Sequence, residues 1–413
     1  MNNYMKYTAL ASLMLFSFFQ GMINIYIGGV ENILGNTFHF KAPAFTTLTA
    51  CLFFGNGVGC IIGGTLIDRY GAGTISSICG FIAVIGVFIF TMSHTFYAFG
   101  ISEFIIGLGV SVWYPSGIEV LKIHFDPLKL PLLAGVFLFF NAIGSATISG
   151  VVYLSKTYGL FDADLCILTI SIILAVALFI TARTNNPDKI NITTTLFQDY
   201  EAQILLMKNR IVIPVIISQT IPTVFSYVFL PLWAIPYMSM LLSPAEAIMI
   251  VTGSLITYGA AGMILGKLYH KFFSPLGWML IQYSGSFIAF AMLLYLPTSV
   301  LNFWVVSLIM IIVSSLLGAN NSYVATYLAD LFEPRYTGTI SAVYGYIFQF
   351  LISIITPMFG MALGSKPMGG NYTIANYNTA LQYLLLSFAI SAAIITTLKI
   401  ITKGYPSLIK IRG

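Results

Sequence analysis

Twelve long apolar runs leave this 413-residue chain few ways to fold. They fall near residues 7–29, 44–67, 74–93, 97–121, 130–154, 163–183, 211–238, 244–267, 276–296, 301–329, 337–362 and 378–401. Each can cross a hydrocarbon layer of about 30 Å as a helix. Inside lipid every backbone N–H and C=O needs a partner within the protein, so only helices or a closed barrel can span. A barrel would show short alternating strands, and these runs are continuous. Charged residues make up 8% of the chain, against about 25% in a soluble domain. The expected fold is an all-α polytopic membrane protein with twelve transmembrane helices in two six-helix bundles.

The bundles are expected over residues 1–183 and 210–413, joined by a cytoplasmic linker at 184–209. Within and beside that linker, Leu196, Phe197, Tyr200, Ile204 and Leu205 recur at helical spacing, which predicts an amphipathic helix on the membrane surface. The first run, after Lys6, resembles a signal peptide in composition. It lacks a small-residue cleavage site and is read as the first span.

Orientation follows from Lys and Arg. Of the 18, only Lys41, Lys156 and Lys366 fall in the loops that are outside when both termini are cytoplasmic. The net charge of +5 is spread singly over short loops, so no nucleic-acid partner is expected. Cys51, Cys60, Cys79 and Cys166 all lie in apolar runs and read as small core residues. No metal-ligand spacing, phosphate loop or nucleophile–base pair occurs, so no catalytic residue, metal or cofactor is expected.

The chain repeats itself weakly. Gly64-Thr65-Leu66-Ile67-Asp68-Arg69-Tyr70-Gly71 follows the second run, and a degraded copy, Gly266-Lys267-Leu268-Tyr269-His270-Lys271, lies 202 residues on. Phe125-Asp126-Pro127 recurs as Phe332-Glu333-Pro334 at an offset of 207, so about five residues are inserted between the two landmarks. Parallel repeats of this kind enclose a substrate site near the bilayer midplane.

With Gly64-x-x-x-Asp68-Arg69-x-Gly71 between spans two and three, the chain resembles the major facilitator superfamily. It departs from the signature at Ala72 and Gly73, where basic residues are usual, and at His270, where an acid is usual. The resemblance implies a secondary transporter with a cytoplasmic gate built from Gly64, Asp68, Arg69, Gly71, Gly266, Lys271 and Arg335. It also implies that spans one, four, seven and ten line the cavity.

Ionisable groups inside a span are costly and hence candidates for function. Glu103, near the outer end of span four, stands where the resembled family often has Arg. A carboxyl kept from bulk water can carry a proton through a transport cycle. Glu31, at the outer end of span one, is the second candidate. No Lys or Arg sits mid-span, which argues against strongly anionic substrates. The polar lining must come from neutral groups. Candidates are Gln20 and Asn24 in span one, Trp113 and Tyr114 in span four, Asn141 in span five and Gln219 and Tyr227 in span seven. Asn320 and Asn321 in span ten, and Tyr344 and Gln349 in span eleven, complete the set. Buried amides also serve as helix–helix bonds, so about half are expected to face the cavity.

Span five lacks the Gly-Pro element that the resemblance associates with exporters, reading Asn141-Ala142-Ile143-Gly144-Ser145-Ala146 instead. The expectation is therefore a proton-coupled importer of a small organic nutrient, an amino acid foremost. It is expected to act as a monomer in a bacterial inner membrane, with the lipid bilayer, the small-molecule substrate and protons as its partners. The alternative is an exporter of drugs or of a metabolite such as a siderophore.

Overall fold

The computed structural model describes residues 3–125, 130–182, 203–204, 207–265, 274–330, 337–364 and 373–404. Among them are twelve helices long and apolar enough to cross a membrane: Leu10–Val30, Pro43–Ile67, Ala72–Thr91, Phe96–Leu121, Gly135–Tyr158, Leu160–Thr181, Val212–Met238, Pro244–Leu265, Pro275–Tyr295, Phe303–Asn321, Ala342–Leu363 and Ile374–Thr402. Each predicted run coincides with one of these, with its ends moved by a few residues. Successive spans alternate in direction, so the start of span one and the end of span twelve lie on one side, here the terminal face; the other is the far face.

Turn chemistry fixes where the spans begin. The even-numbered spans start on the far face, and several carry side-chain caps. The Thr95 hydroxyl accepts from the Ala98 N–H at 3.3 Å to open span four. Ser243 and Glu246 form a capping box at span eight, with Ser243 N–H donating to Glu246 Oε2 at 3.0 Å. Asn302 Oδ1 accepts from the N–H groups of Trp304 and Val305 at 3.1 Å to open span ten. On the terminal face, spans two and three meet at Gly71, whose φ of 85° suits glycine.

The neighbour pattern of the first six spans is repeated by the second six. Span two packs on four, three on four and six, and one on five and six; eight packs on ten, nine on ten and twelve, and seven on eleven and twelve. The bundles meet where span two packs on span eleven and span five on span eight. Apolar stripes at helical spacing face outward, such as Ile78, Phe81, Ile85 and Phe88 on span three. Such stripes suit lipid, not water. Tyr97 and Trp304, both largely exposed, open spans four and ten at repeat-related positions, as interfacial aromatics do. Cys60 and Cys79 are buried, but Cys166 is exposed on span six. The core assignment therefore fails for Cys166, which lies on the outward side of its helix.

Glycine sets how closely the bundles approach. A Cβ on Gly28 of span one would lie 2.0 Å from the Pro231 carbonyl oxygen of span seven. One on Gly360 of span eleven would lie 2.2 Å from Thr46 Oγ1 of span two. Both contacts are near the far face. Near the terminal face, a Cβ on Gly64 would meet the Ala342 Cβ at 2.9 Å, and one on Gly135 would meet Met263 at 2.9 Å. The two bundles therefore touch on both sides of the midplane.

Candidate functional site

Between those contacts lie two small cavities separated by Tyr227. The larger, about 70 Å³, is lined by Asn56, Cys60, Ser111, Trp113, Tyr114, Pro115, Leu138, Tyr227, Asn321, Tyr344, Gly345, Phe348 and Gln349. The smaller, about 30 Å³, lies toward the far face against Asn24, Ile25, Asn141, Ala142, Ser145, Ser226, Tyr227, Pro231, Leu255 and Tyr258. No lining residue of either carries a charge.

Irregular backbone brings the polar groups to these walls. Pro115 has no N–H to offer the carbonyl four residues back, and span four breaks at Ser111–Val112 before resuming at Trp113. The freed Ser111 carbonyl accepts from the Cys60 thiol of span two at 3.4 Å. In span seven, Phe225–Trp233 forms a π-helix containing Pro231, and Ser226 and Tyr227 project from it into the cavities. Such segments recur at functional sites because they re-aim side chains.

The repeat is visible in the lining itself. At the 202-residue offset, Asn24 corresponds to Ser226 and Asn56 to Tyr258. At the 207-residue offset, Tyr114 corresponds to Asn321, Leu138 to Gly345 and Asn141 to Phe348. Matching positions of the two bundles thus face one central space.

Eight of the sequence candidates line one of the two cavities: Asn24, Trp113, Tyr114, Asn141, Tyr227, Asn321, Tyr344 and Gln349. Three do not. Gln20 is buried and accepts a hydrogen bond from Asn141 Nδ2, tying span one to span five. Gln219 and Asn320 are fully buried with Tyr283: Asn320 Nδ2 donates to Gln219 Oε1 and to Tyr283 Oη (2.8 Å), and Tyr283 Oη donates to Gln219 Oε1 at 3.4 Å. These amides hold spans seven, nine and ten together. The cavity also draws on spans two, five, eight and eleven, beyond the four spans the resemblance implies.

At the wall, Tyr344 Oη donates to Asn321 Oδ1 at 2.9 Å. Asn24 Oδ1, Asn56 Nδ2, Ser226 Oγ and Gln349 Oε1 are buried without a protein partner, two acceptors, a donor and a hydroxyl available to a bound solute. Asn56, Ser226 and Tyr258 escaped the sequence reading. Asn56 stands in Gly55-Asn56-Gly57, a polar residue in mid-span, and could have been found by that sign alone.

Of the gate residues, Gly64 contacts span eleven of the other bundle, and Gly71 makes the turn, its N–H donating to the Ile67 carbonyl at 2.8 Å. Arg69 is half-buried. Gly266, Lys271 and Arg335 lie outside the described residues, as do most of the predicted linker helix and the side chains of Glu31 and Asp68. Glu103 is 2% exposed and lines neither cavity.

Paired six-helix bundles related by a repeat, with a central cavity between them, are the architecture of a secondary transporter. A profile of the Major Facilitator Superfamily matches residues 10–357, and the chain belongs to that family of secondary transporters. Solved structures with the same fold include a variant of the nucleoside transporter NupG (TM-score 0.70, 14% identity, covering 94% of this chain and 99% of that one). A D-xylose-proton symporter (0.69, 16%, 94% and 97%) and the human organic anion transporter MFSD10 (0.68, 10%, 94% and 99%) are further examples. No curated protein sequence matches the chain.

The adjacent amides Asn320 and Asn321 separate structure from binding. Asn320→Leu should lower stability by about 1 kcal/mol through loss of interhelical bonds, read as a lower thermal midpoint of the purified protein.

Proposed function

We propose that this transporter takes up a small uncharged organic nutrient by proton-coupled alternating access. The observation that carries the reading is the lining of the central space. It offers unpartnered amide and hydroxyl groups and the aromatic faces of Trp113, Tyr114 and Tyr227, with no charged side chain. A zwitterionic amino acid, favoured by the sequence, would need partners for an ammonium and a carboxylate, both costly to bury unpaired. A neutral solute with a flat or ring-shaped face, such as a nucleoside or a sugar, needs only hydrogen bonds and stacking. The similarity in fold to a nucleoside transporter and to a xylose-proton symporter agrees with this class.

In this account Glu103 carries the coupling proton. The protein works as a monomer in a bacterial inner membrane, with its terminal face and the 184–209 linker cytoplasmic. The glycine contacts on both sides of the cavities support a closed intermediate between the two open forms.

Asn321→Ala should weaken substrate binding about tenfold or more, since it removes an amide from the cavity wall together with the oxygen that accepts from the Tyr344 hydroxyl, with a smaller loss of stability than Asn320→Leu. Equilibrium binding to the purified variants reads this. The reading as a whole is tested in proteoliposomes under an imposed pH gradient, with a panel of nucleosides, pentoses, hexoses and neutral amino acids. Accumulation of a nucleoside or sugar that collapses with a protonophore is expected. Outward-only movement, or uptake indifferent to the gradient, would refute it.

A further inference from the structure

The carboxy-terminal bundle carries a cleft on its outward side, apart from the central cavities. Spans seven, eleven and twelve enclose about 520 Å³ between them, several times the volume of either central cavity. Its walls include Val224 of span seven, Met358, Phe359 and Ala362 of span eleven, and Tyr383 and Leu384 of span twelve. Val224, Phe359 and Leu384 are buried and form its floor, while Met358 and Tyr383 are largely exposed at its rim. No lining residue carries a charge, and the one serine hydroxyl, Ser387 Oγ, already donates to the Leu384 carbonyl at 2.5 Å.

Depth decides what can fill this space. Its span-eleven wall falls within the last three turns before the far face, and on span twelve Tyr383 stands about 14 Å along the helix from Ile374. The cleft therefore lies within the membrane. Its rim continues into the apolar outward surface, with Ile354 and Met361 largely exposed beside it. A space without polar partners does not hold water, and an empty one forfeits the contacts of every atom that lines it. The medium at this depth is hydrocarbon. A neighbouring transmembrane helix, about 10–12 Å across with its side chains, would pack along the whole length of a span. The cleft runs for only about two turns of span eleven, from Ile355 to Ala362.

We propose that the cleft is a binding site for one acyl chain of a bilayer phospholipid in the far-face leaflet. The headgroup stays at the surface, because the walls offer it no charged partner. Packing holds the chain in place rather than expulsion of water, since the bilayer is as apolar as the walls. The unbranched, flexible side chains of Met358 and Met361 adapt to it. The site is separate from the solute cavities and does not depend on the transport reading. Its place on span eleven has a mechanical consequence. Gly360, between Phe359 and Met361, is the residue whose Cβ would lie 2.2 Å from Thr46 Oγ1 of span two. A chain in the cleft backs the turn that joins the two bundles at the far face.

The test is photo-crosslinking of the whole chain in nanodiscs containing phosphatidylcholine with a diazirine midway along one acyl chain, mapped by mass spectrometry. Adducts are expected at Met358 and Tyr383, with a yield that saturates as the probe fraction rises. At Ile288, exposed on span nine, the yield should instead rise in proportion to the probe. Ala362→Phe fills the cleft and should abolish the adducts there while leaving those of span nine unchanged. If that variant fails to fold, Met361→Trp, at an exposed position, fills the cleft from its rim and should do the same. No adducts in the cleft, adducts that track the probe fraction as at span nine, or adducts that survive both variants would overturn the proposal. Protection of the cleft in nanodiscs holding two copies, but not in those holding one, would overturn it in favour of a second copy as occupant. Stripping lipid from the purified protein should lower the thermal midpoint of the parent more than that of Ala362→Phe; equal falls would remove the bracing role.

Discussion

Glu103→Gln is expected to abolish accumulation against a gradient while leaving counterflow exchange largely intact. Glutamine keeps the shape and much of the hydrogen-bonding capacity of a protonated glutamic acid but cannot release a proton. Glu103 lines neither cavity, so solute binding should survive the change. Its Oε2 has no protein partner, so no protein hydrogen bond is lost there and the variant should fold with an unchanged or higher thermal midpoint. The measurement is paired: uptake into proteoliposomes under a pH gradient, and exchange of labelled for unlabelled solute without one. Accumulation equal to that of the parent protein would remove Glu103 from the coupling step.

Gly28→Val should cost the protein its cycle without costing it its fold. A Cβ at Gly28 would lie 2.0 Å from the Pro231 carbonyl oxygen, backbone that has no flexible end to move aside. The clash falls between bundles, so the bundles can part on the far face to relieve it. If the closed form is raised by about 2.8 kcal/mol, near the upper end of overpacking costs, its population falls about a hundredfold. Transport should drop by a similar factor while binding from the far side persists. A cysteine introduced at Ser145, in the wall of the smaller cavity, should then react faster with an impermeant maleimide. Gly144→Ala makes an equally severe clash, 1.9 Å from the Phe18 carbonyl oxygen, but inside one bundle. There the bundle itself must distort, and a folding defect with a poor yield is expected. Similar phenotypes from the two variants would mean that the Gly28 contact is structural rather than a moving seal.

The spans could be read from hydropathy because lipid forbids exposed backbone polar groups and so forces long, continuous helices. Gly71, which the sequence marks as the end of the Gly64–Gly71 motif between spans two and three, makes the turn there with a backbone angle that favours glycine. Side-chain direction was less accessible. Asn320 and Asn321 are adjacent and chemically identical, yet one bonds Gln219 and Tyr283 and the other faces the cavity. One residue turns a helix by about 100°, less than the uncertainty in placing a span by hydropathy. The burial of Asp164 was missed because it stands at the start of span six, where an acid resembles an interfacial group; burial against Tyr26 depends on how spans one and six pack. Cys166, two residues later, faces the opposite way for the same reason of phase.

The central claim is that the two bundles tilt about the enclosed neutral cavity, opening one face as they close the other. It is tested most directly by electron–electron resonance distances in nanodiscs. One spin-label pair would bridge spans one and seven at the far face, and a second would bridge spans five and eight at the terminal face. Across a change of pH, and on adding the transported solute, the account predicts opposite movements, one distance lengthening as the other shortens. Two distances that stay fixed, or that widen together, would contradict it.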